Sequence, residues 1–265
     1  MHQLLFTGPT LSSANICKLL PHSRVFNFDS VNAYLEQSDM QDNALFVLPP
    51  ISGGDLYRLK DHSKPFLIAI IDGFFENTVS VWHKELLYFL SRGICIMGTS
   101  SMGALRASEL QPYGMCGVGN IYNDFLTGRI QDDDEVTISH GPRELNYPQI
   151  SEAMINIRYT IEHALNSKII TIGTAATFLK TAKNLFYKER NYSTIIKKCV
   201  ELKTKNKHEF ISFQSWLETN KINQKQLDAR ELLDKLSLFH TYDDLPILPS
   251  FEFEDTIIWR RSMSN

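Results

Sequence analysis

One uninterrupted apolar run, Phe66 to Ile71, constrains the fold of this chain more than any other feature. The run is rich in β-branched and aliphatic residues, and no polar residue alternates with them. A strand that is covered on one face alternates apolar and polar residues, so this run predicts a strand that is covered on both faces. Strands of that kind are typical of parallel sheets flanked by helices.

Further predicted strands and helices alternate around this run. The strands are Leu4–Phe6, Arg24–Phe28, Ala44–Leu48 and Ile94–Met97, and the intervening helices include Ser12–Leu20 and Ser80–Arg92. Such alternation predicts an α/β fold with a parallel, Rossmann-like sheet and right-handed crossovers. From Ser151 onward, apolar residues recur at helical spacing. We therefore divide the chain into an α/β core, 1–145, and a mainly helical extension, 146–265, which ends in an extended arm over Leu245–Phe253.

The composition excludes several classes of protein. A net charge of -3 argues against nucleic acid as a partner. The apolar runs are shorter than a membrane span, and no secretory leader is expected near the start of the chain. The 4 cysteines are scattered without a C-x-x-C pair, which predicts neither a disulfide framework nor a zinc site. A reducing, cytoplasmic location is the resulting expectation.

The segment Gly98 to Ala107 joins a predicted strand to a predicted helix through a short turn, Gly98-Thr99-Ser100-Ser101. Such a turn presents a hydroxyl and backbone N–H groups to a ligand. The segment is close to the G-x-S-x-G nucleophile elbow but does not match it, because neither serine has glycines at both flanking positions. Two interpretations of Ser101 stay open: a nucleophile, or an N-cap that accepts a hydrogen bond from the first turn.

Residues suited to a ligand site follow several of the predicted strands. They are Gly8-Pro9-Thr10, Pro50 to Asp55, Asp72-Gly73 and Gly98 to Ser101. Ligands of open α/β sheets bind outside the carboxyl ends of the strands, so these residues are expected at one edge. There Asp72, His83 and Ser101 would form an acid, base and nucleophile. The alternatives are a turn aspartate and a surface or capping histidine.

Two motifs farther along the chain carry titratable side chains. The acidic run Asp132 to Glu135 could hold Mg²⁺, receive basic side chains of a partner, or be a solvated loop; we predict no metal site. His140 precedes Gly-Pro and is either a turn residue or a second acid/base candidate.

Cys116 lies in the glycine-rich stretch Gly114 to Gly119, which lacks the G-x-G-x-x-G pattern of a dinucleotide site. Its thiol offers a competing chemistry, a persulfide relay. A single cysteine without a basic neighbour is usually inert, however.

Several motifs occur together in an order that resembles the TfuA-like family. They are Phe6–Leu11, Pro49–Leu56, Asp72–Glu76, Val81–Glu85, Gly98–Leu110, Gly114–Tyr122, Asp132–Val136 with His140–Pro142, and Ser151–Arg158. The resemblance covers about residues 3 to 165, and the remainder of the chain is not matched.

The resemblance implies an accessory role in peptide thioamide formation. TfuA-like proteins accompany YcaO enzymes, which use ATP to activate a backbone amide oxygen so that sulfur replaces it. The implied task is sulfur delivery: recruiting a thiocarboxylated sulfur carrier protein and releasing its sulfur. Acyl transfer to Ser101 would liberate sulfide, with His83 or His140 as base and Asp72 orienting it. Arg106 would hold the anionic C-terminus of the carrier.

The remaining site predictions concern substrate binding. The substrate-binding candidates are Gly8, Thr10, Gly53, Gly54, Asp55, Glu76, Ser100, Gly103 and Arg106. No cofactor is expected. The partners that the resemblance implies are a YcaO enzyme, the thiocarboxylated carrier and, as a further candidate, the precursor peptide.

Three alternatives stay open at this point. Water could attack the thiocarboxylate directly, with Ser101 only binding the carboxylate. The protein could be a non-catalytic adaptor that docks on YcaO and activates it. More remotely, it could be an ester or amide hydrolase with an unrelated substrate.

Overall fold

The computed structural model describes residues 2–28, 30–31, 44–59, 67–75, 78–202 and 207–262. The chain forms two compact units, the first from 1–129 with 228–265 and the second from 130–227. Our boundary at residue 145 marks a change in sequence pattern and stays a prediction. The contact-based units have different limits, because the chain returns to the first unit at Asp228.

The first unit is built on a parallel sheet of six described strands in the order β2-β3-β1-β4-β5-β6. The strands are β1 (His2–Phe6), β2 (Ser23–Val25), β3 (Ala44–Leu48), β4 (Leu67–Ile70), β5 (Cys95–Thr99) and β6 (Cys116–Val118). All five strand pairings are parallel. The predicted α/β class with a parallel sheet and a mainly helical C-terminal part is thus confirmed.

The helices follow the strands and then dominate the rest of the chain. They are α1 (Ser13–Leu19), α2 (His83–Ser91), α3 (Met102–Leu110), α4 (Asn120–Leu126), α5 (Met154–Asn166), α6 (Ile172–Lys183), α7 (Tyr192–Glu201), α8 (Lys207–Asn220), α9 (Gln224–Leu236) and α10 (Ile257–Ser262). None of these described helices has the length and apolarity needed to cross a bilayer.

Both faces of the sheet are buried, as the apolar run predicts. Alternate residues of β4 belong to different cores, with Ile68 and Ile70 on one side and Leu67 and Ala69 on the other. All four are 0% exposed. The strand therefore has no polar face, which explains the absence of alternation in its sequence.

Helix α9 returns to the first unit and covers one face of the sheet. Its Ala229, Leu232 and Leu233 are buried in the same core as the sheet residues of that face. This segment also contacts the first turn of α4, where Asp228 accepts a hydrogen bond from the Ile121 N–H at 2.7 Å. Gly119 makes that approach possible, because a Cβ there would lie 2.4 Å from the Asp228 carboxyl carbon.

The second unit has an apolar core of its own. Met154, Ile157 and Ile161, which form the predicted stripe on α5, are buried there with Phe178 of α6 and Phe213 of α8. This stripe packs as core, in agreement with the helical spacing of its residues.

Candidate active site

The carboxyl edge of the sheet brings together loops that are distant in sequence. β1, β4 and β5 are neighbours in the sheet, and their next residues are Thr7, Ile71 and Ser100. The loop after β3 joins them through a parallel bridge between Ile51 and Gly73. The edge predicted from the strand order is therefore a continuous surface of loops in the first unit.

Asp72 holds the first of these loops in place. Its Oδ2 accepts the N–H groups of Gly8 at 2.9 Å and Thr10 at 3.0 Å, and its Oδ1 accepts the Thr10 hydroxyl at 2.6 Å. The side chain is buried. These three bonds engage both carboxylate oxygens, so Asp72 anchors the loop that contains Gly8 and Thr10.

The carboxylate in contact with His83 is that of Glu109, not that of Asp72. His83 Nε2 lies 2.8 Å from Glu109 Oε2, and Arg106 Nη1 lies 2.7 Å from the same oxygen. Arg106 also donates from Nε to the Val81 carbonyl at 3.2 Å. Burial raises the pKa of the Glu109 carboxyl, but hydrogen bonds from His83 and Arg106 outweigh it and hold the pKa below its ordinary value. The predicted orienting role of Asp72 toward His83 is therefore not seen among the described contacts.

The turn after β5 is strained at Ser100. Ser100 has a φ of 71°, which is an uncommon conformation for a residue with a side chain. Ser101 begins the helix as its N-cap, but its side chain makes no capping hydrogen bond. Its N–H donates to the Thr99 carbonyl at 2.8 Å. Ser101 therefore occupies the N-cap position without the predicted hydrogen bond from the first turn to its side chain, and both serines are buried at the start of α3.

Two glycines allow this helix to pack directly against the sheet. A Cβ on Gly98 would lie 2.0 Å from the Gly103 carbonyl oxygen, and one on Gly103 would lie 1.8 Å from the Ile70 carbonyl oxygen. A glycine two residues before a residue of positive φ, at a strand-to-helix turn, is a feature of the nucleophile elbow. Since Gly98 is two residues before Ser100, Ser100 occupies the nucleophile position of the elbow. The sequence analysis placed Ser100 among the substrate-binding residues.

The backbone N–H groups of the glycine-containing loop after β3 form hydrogen bonds with other parts of the protein. Gly53 donates to the Val79 carbonyl at 2.7 Å, and Gly54 donates to Glu85 Oε1 at 2.9 Å. Asp55 Oδ2 accepts both the N–H and the hydroxyl of Ser52 at 2.8 Å. Burial raises the pKa of Asp55 despite these bonds. Glu76, the remaining substrate-binding candidate, lies outside the described residues.

Glu85 is a buried carboxyl group beneath this loop that sequence reasoning did not single out. It is 0% exposed, and its Oε2, like the Tyr57 hydroxyl oxygen, has no hydrogen-bond partner in the described part of the chain. Burial raises the pKa of Glu85 to about 7, although N–H groups of Gly54 and Trp82 oppose the shift. The signal in the sequence is weak, since Glu85 only occupies the third position of α2.

The acidic run of the second unit is neutralised within that unit. Lys183 Nζ contacts Asp132 at 2.9 Å and Glu135 at 2.8 Å, and it also contacts Asp134. Burial lowers the pKa of Lys183, but these carboxylates outweigh it and raise the pKa to about 12. Carboxylate oxygens of these three acidic residues lie within 4.8 Å of one another. The ammonium group supplies the cationic charge that a metal ion would otherwise bring.

Two arginines complete this ionic cluster. Arg158 forms a two-pronged pair with Glu135, with both N–O distances at 2.8 Å. Arg190 is 0% exposed and donates to Asp134 Oδ2 at 2.9 Å. The interpretation of the run as a solvated loop is wrong for Glu135, which is buried with its charge paired.

His140 belongs to the second unit and lies in an irregular turn. Its Nδ1 lies 2.8 Å from the Gly141 carbonyl oxygen, and its ring contacts Tyr147 edge-on at 5.4 Å. The turn also contains Asn146 and Tyr147, both with positive φ. These contacts agree with a turn histidine, and an acid/base role for His140 stays a prediction.

A comparison with protein families finds a match within the chain. A family model described as TfuA-like protein matches residues 72–191, which include the turn after β5, α2 and the acidic run. No curated protein matches the chain. The match confirms the resemblance found in the sequence motifs and is consistent with an accessory role beside a YcaO enzyme.

Proposed function

We propose a function from the premise that this chain belongs, through residues 72–191, to the TfuA-like protein family. The protein recruits a thiocarboxylated sulfur carrier protein and releases its sulfur for YcaO-dependent peptide thioamidation. The observation that carries this proposal is the strained strand-to-helix turn at Ser100, which is packed through Gly98 and Gly103 within the matched region. Strained backbone of this kind is concentrated at functional sites.

The chemistry is an acyl transfer. A serine oxygen attacks the thiocarboxylate carbon, the carbon–sulfur bond breaks, and sulfide leaves. Water then hydrolyses the acyl-serine and returns the carrier as a carboxylate. Of the two serines, Ser101 is the nucleophile predicted from the sequence, and the elbow geometry favours Ser100.

The remaining roles in this proposal are assigned to side chains on α2 and α3 and to Asp72. His83 is the base that takes the serine proton, with Glu109 as the carboxylate that orients its ring. Arg106 supplies positive charge for the anionic end of the carrier. Asp72 contributes indirectly, because it fixes the loop of Gly8 and Thr10.

The test is to incubate the purified protein with a thiocarboxylated carrier, without YcaO, and to follow sulfide release and carrier mass. The wild-type protein should exchange the sulfur of the carrier for oxygen. Ser100→Ala should reduce the rate more than about a thousandfold, as removal of a nucleophile does. Ser101→Ala is the matched control one residue away, and a loss confined to it would return the nucleophile to Ser101.

The same experiment separates catalysis from adaptation. A carrier left unchanged by the protein alone, but consumed when YcaO is added, would overturn the autonomous enzyme. It would leave either an activity that exists only in the YcaO complex or a non-catalytic adaptor, and neither serine substitution should matter for the adaptor. The internal use of the Gly53 and Gly54 N–H groups favours that alternative, because these donors are already engaged.

A further inference from the structure

Glu85 joins two separate segments of the first unit at the start of α2. Its Oε1 accepts the N–H of Gly54, in the loop after β3, at 2.9 Å. The same oxygen accepts the N–H of Trp82, the residue before the helix, at 3.4 Å. A glutamate at the third helical position that accepts this N–H fixes the point at which the helix begins. One carboxyl oxygen therefore attaches the start of α2 to a loop at the carboxyl edge of the sheet.

The backbone before α2 is held by two further hydrogen bonds. Gly53, in the same loop, donates to the Val79 carbonyl at 2.7 Å. Arg106, on α3, donates from Nε to the Val81 carbonyl at 3.2 Å. The bonds of Gly53 and Glu85 thus attach this backbone to the loop after β3, and the bond of Arg106 attaches it to α3.

The start of α2 also carries His83, the base of the proposed reaction. His83 is the first residue of the helix, two positions before Glu85. Its Nε2 lies 2.8 Å from Glu109 Oε2, which Arg106 Nη1 approaches to 2.7 Å. Glu109 and Arg106 both belong to α3, so they move together. The distance between the base and its carboxylate therefore depends on how the first turn of α2 is attached to the sheet.

Burial makes Glu85 an unfavourable residue for a purely structural role. It is 0% exposed, and its Oε2 and the Tyr57 hydroxyl oxygen have no hydrogen-bond partner among the described residues. A buried polar atom without a partner destabilises a fold, and an apolar side chain of similar volume would avoid that cost. The two bonds of Oε1 are the contribution that an apolar side chain could not make.

Aromatic rings pack around this part of the first unit. The Tyr57 ring lies 6.1 Å from the Trp82 ring and 4.5 Å from the ring of Trp259, on α10, between centroids. Tyr88, on α2, lies 5.1 Å from Trp259, which is 4% exposed. Hydrogen bonds in such surroundings are stronger than hydrogen bonds in water. The bonds of Glu85 are therefore suited to holding α2 rigidly.

We propose that Glu85 is a positioning residue for the sulfur-releasing reaction: it attaches the first turn of α2 to the loop of Gly54 and thereby holds His83 against Glu109. The inference rests on the proposed function, because His83 is a base only in that reaction. Glu85 acts through the helix backbone and takes no proton from the serine.

The test compares two substitutions of Glu85 in the full chain, with the thiocarboxylated carrier as substrate. Glu85→Gln keeps an oxygen that accepts both N–H groups and should retain most of the carrier hydrolysis. Glu85→Leu has a similar volume but no acceptor, and it should lower kcat about a hundredfold, as small misplacements of catalytic groups do. KM should change by less than about twofold, because Arg106 keeps its contact with Glu109.

Leu232→Ala is the control for a general loss of stability. Leu232 is 0% exposed in the core that α9 covers, so its truncation should destabilise the first unit. It should nevertheless leave kcat unchanged at a temperature where the variant is folded. If leucine at position 85 prevents folding, Glu85→Ala also removes the acceptor and should show the same loss of kcat.

A second measurement reports on His83 without any turnover. Diethyl pyrocarbonate modifies histidine rings, and mass spectrometry of the peptides locates the product. His83 should react several-fold faster in Glu85→Leu than in the wild type or Glu85→Gln, because Glu109 holds its Nε2 less firmly. His22, an exposed histidine of the same unit, should react equally in all variants.

The outcomes separate this inference from the proposed function. Full activity of Glu85→Leu, an equal loss in Glu85→Gln, or an equal loss in Leu232→Ala would each overturn the inference. A His83 reactivity unaffected by Glu85→Leu would also overturn it. A wild-type protein that hydrolyses no carrier under any condition would overturn the proposed function alone, and the reactivity of His83 would still decide whether Glu85 positions it.

Discussion

At the scale of single residues, Glu85 makes the stability of the protein depend on pH near neutrality. Its pKa is about 7 in the folded chain and has an ordinary value of 4.5, so folding takes up a proton between these values. Stability should fall as the pH rises through this window, by up to about 3 kcal/mol. Glu85→Gln removes the titration and should stabilise the protein at pH 8 relative to wild type, as measured by urea unfolding.

The control for Glu85 is Glu109, a carboxyl group whose pKa is shifted in the opposite direction. The pKa of Glu109 is lowered, so its contribution is present above its ordinary pKa and is lost on acidification. Glu109→Gln should therefore destabilise the protein slightly at pH 8. A Glu85→Gln variant that is less stable than wild type at pH 8 would contradict this prediction. It would show that the hydrogen bonds of the Glu85 carboxylate stabilise the fold by more than the burial of its charge destabilises it.

Substitutions of Asp72 give a second prediction at this scale. They distinguish a role in anchoring the loop of Gly8 and Thr10 from a role in catalysis. Asp72→Ala removes three hydrogen bonds to a buried carboxylate and should cost about 3 kcal/mol in unfolding experiments. Asp72→Asn keeps an acceptor for the Gly8 and Thr10 N–H groups and should cost about 1 kcal/mol. The asparagine variant should also retain sulfur release, and a stable but inactive Asp72→Asn protein would contradict the anchoring role.

At the scale of elements, the packing of α3 on the sheet depends on Gly103. Gly103→Ala would place a methyl group 1.8 Å from the Ile70 carbonyl oxygen, so helix or strand must move. We expect a loss of more than about 3 kcal/mol in the free energy of unfolding. Gly173→Ala in α6 is the control, because a Cβ there meets no atom within 4 Å. It should change stability by less than about 1 kcal/mol, in the stabilising direction.

The elements that the sequence predicted best are those with strong local patterns. Leu67–Ile70 could be predicted because it is buried on both faces, and Ser13–Leu19 because Ser12 caps it. Strand β6 was missed, since its three residues include a glycine and form no apolar run. The last helices lie in the part that was predicted to be mainly helical, but α9 was not delimited individually, because its sequence is more polar.

The candidate site was predicted in part, and for a clear physical reason. Strand order alone gathers loops at the carboxyl edge, so the location follows from sequence. The pairing of side chains does not, because it depends on distances between segments that no local pattern encodes. Glu109 therefore replaces Asp72 beside His83.

At the scale of the whole molecule, each unit has different requirements for folding. Residues 130–227 contain their own apolar core and the ionic cluster of Lys183, Arg190 and Glu135. Residues 1–129 lack α9, whose Leu232 and Leu233 bury one face of the sheet. The two fragments should therefore behave differently when they are produced alone.

The fragment 130–227 should fold by itself, with a helical circular dichroism spectrum and a cooperative thermal transition. The fragment 1–129 should bind the hydrophobic dye ANS and unfold without a sharp transition, because the uncovered face of its sheet is apolar. Adding residues 228–265 through a short flexible linker should restore cooperativity to it, since that segment supplies the missing cover. A cooperative, dye-free 1–129 fragment would show that the sheet is stable without the cover that α9 provides.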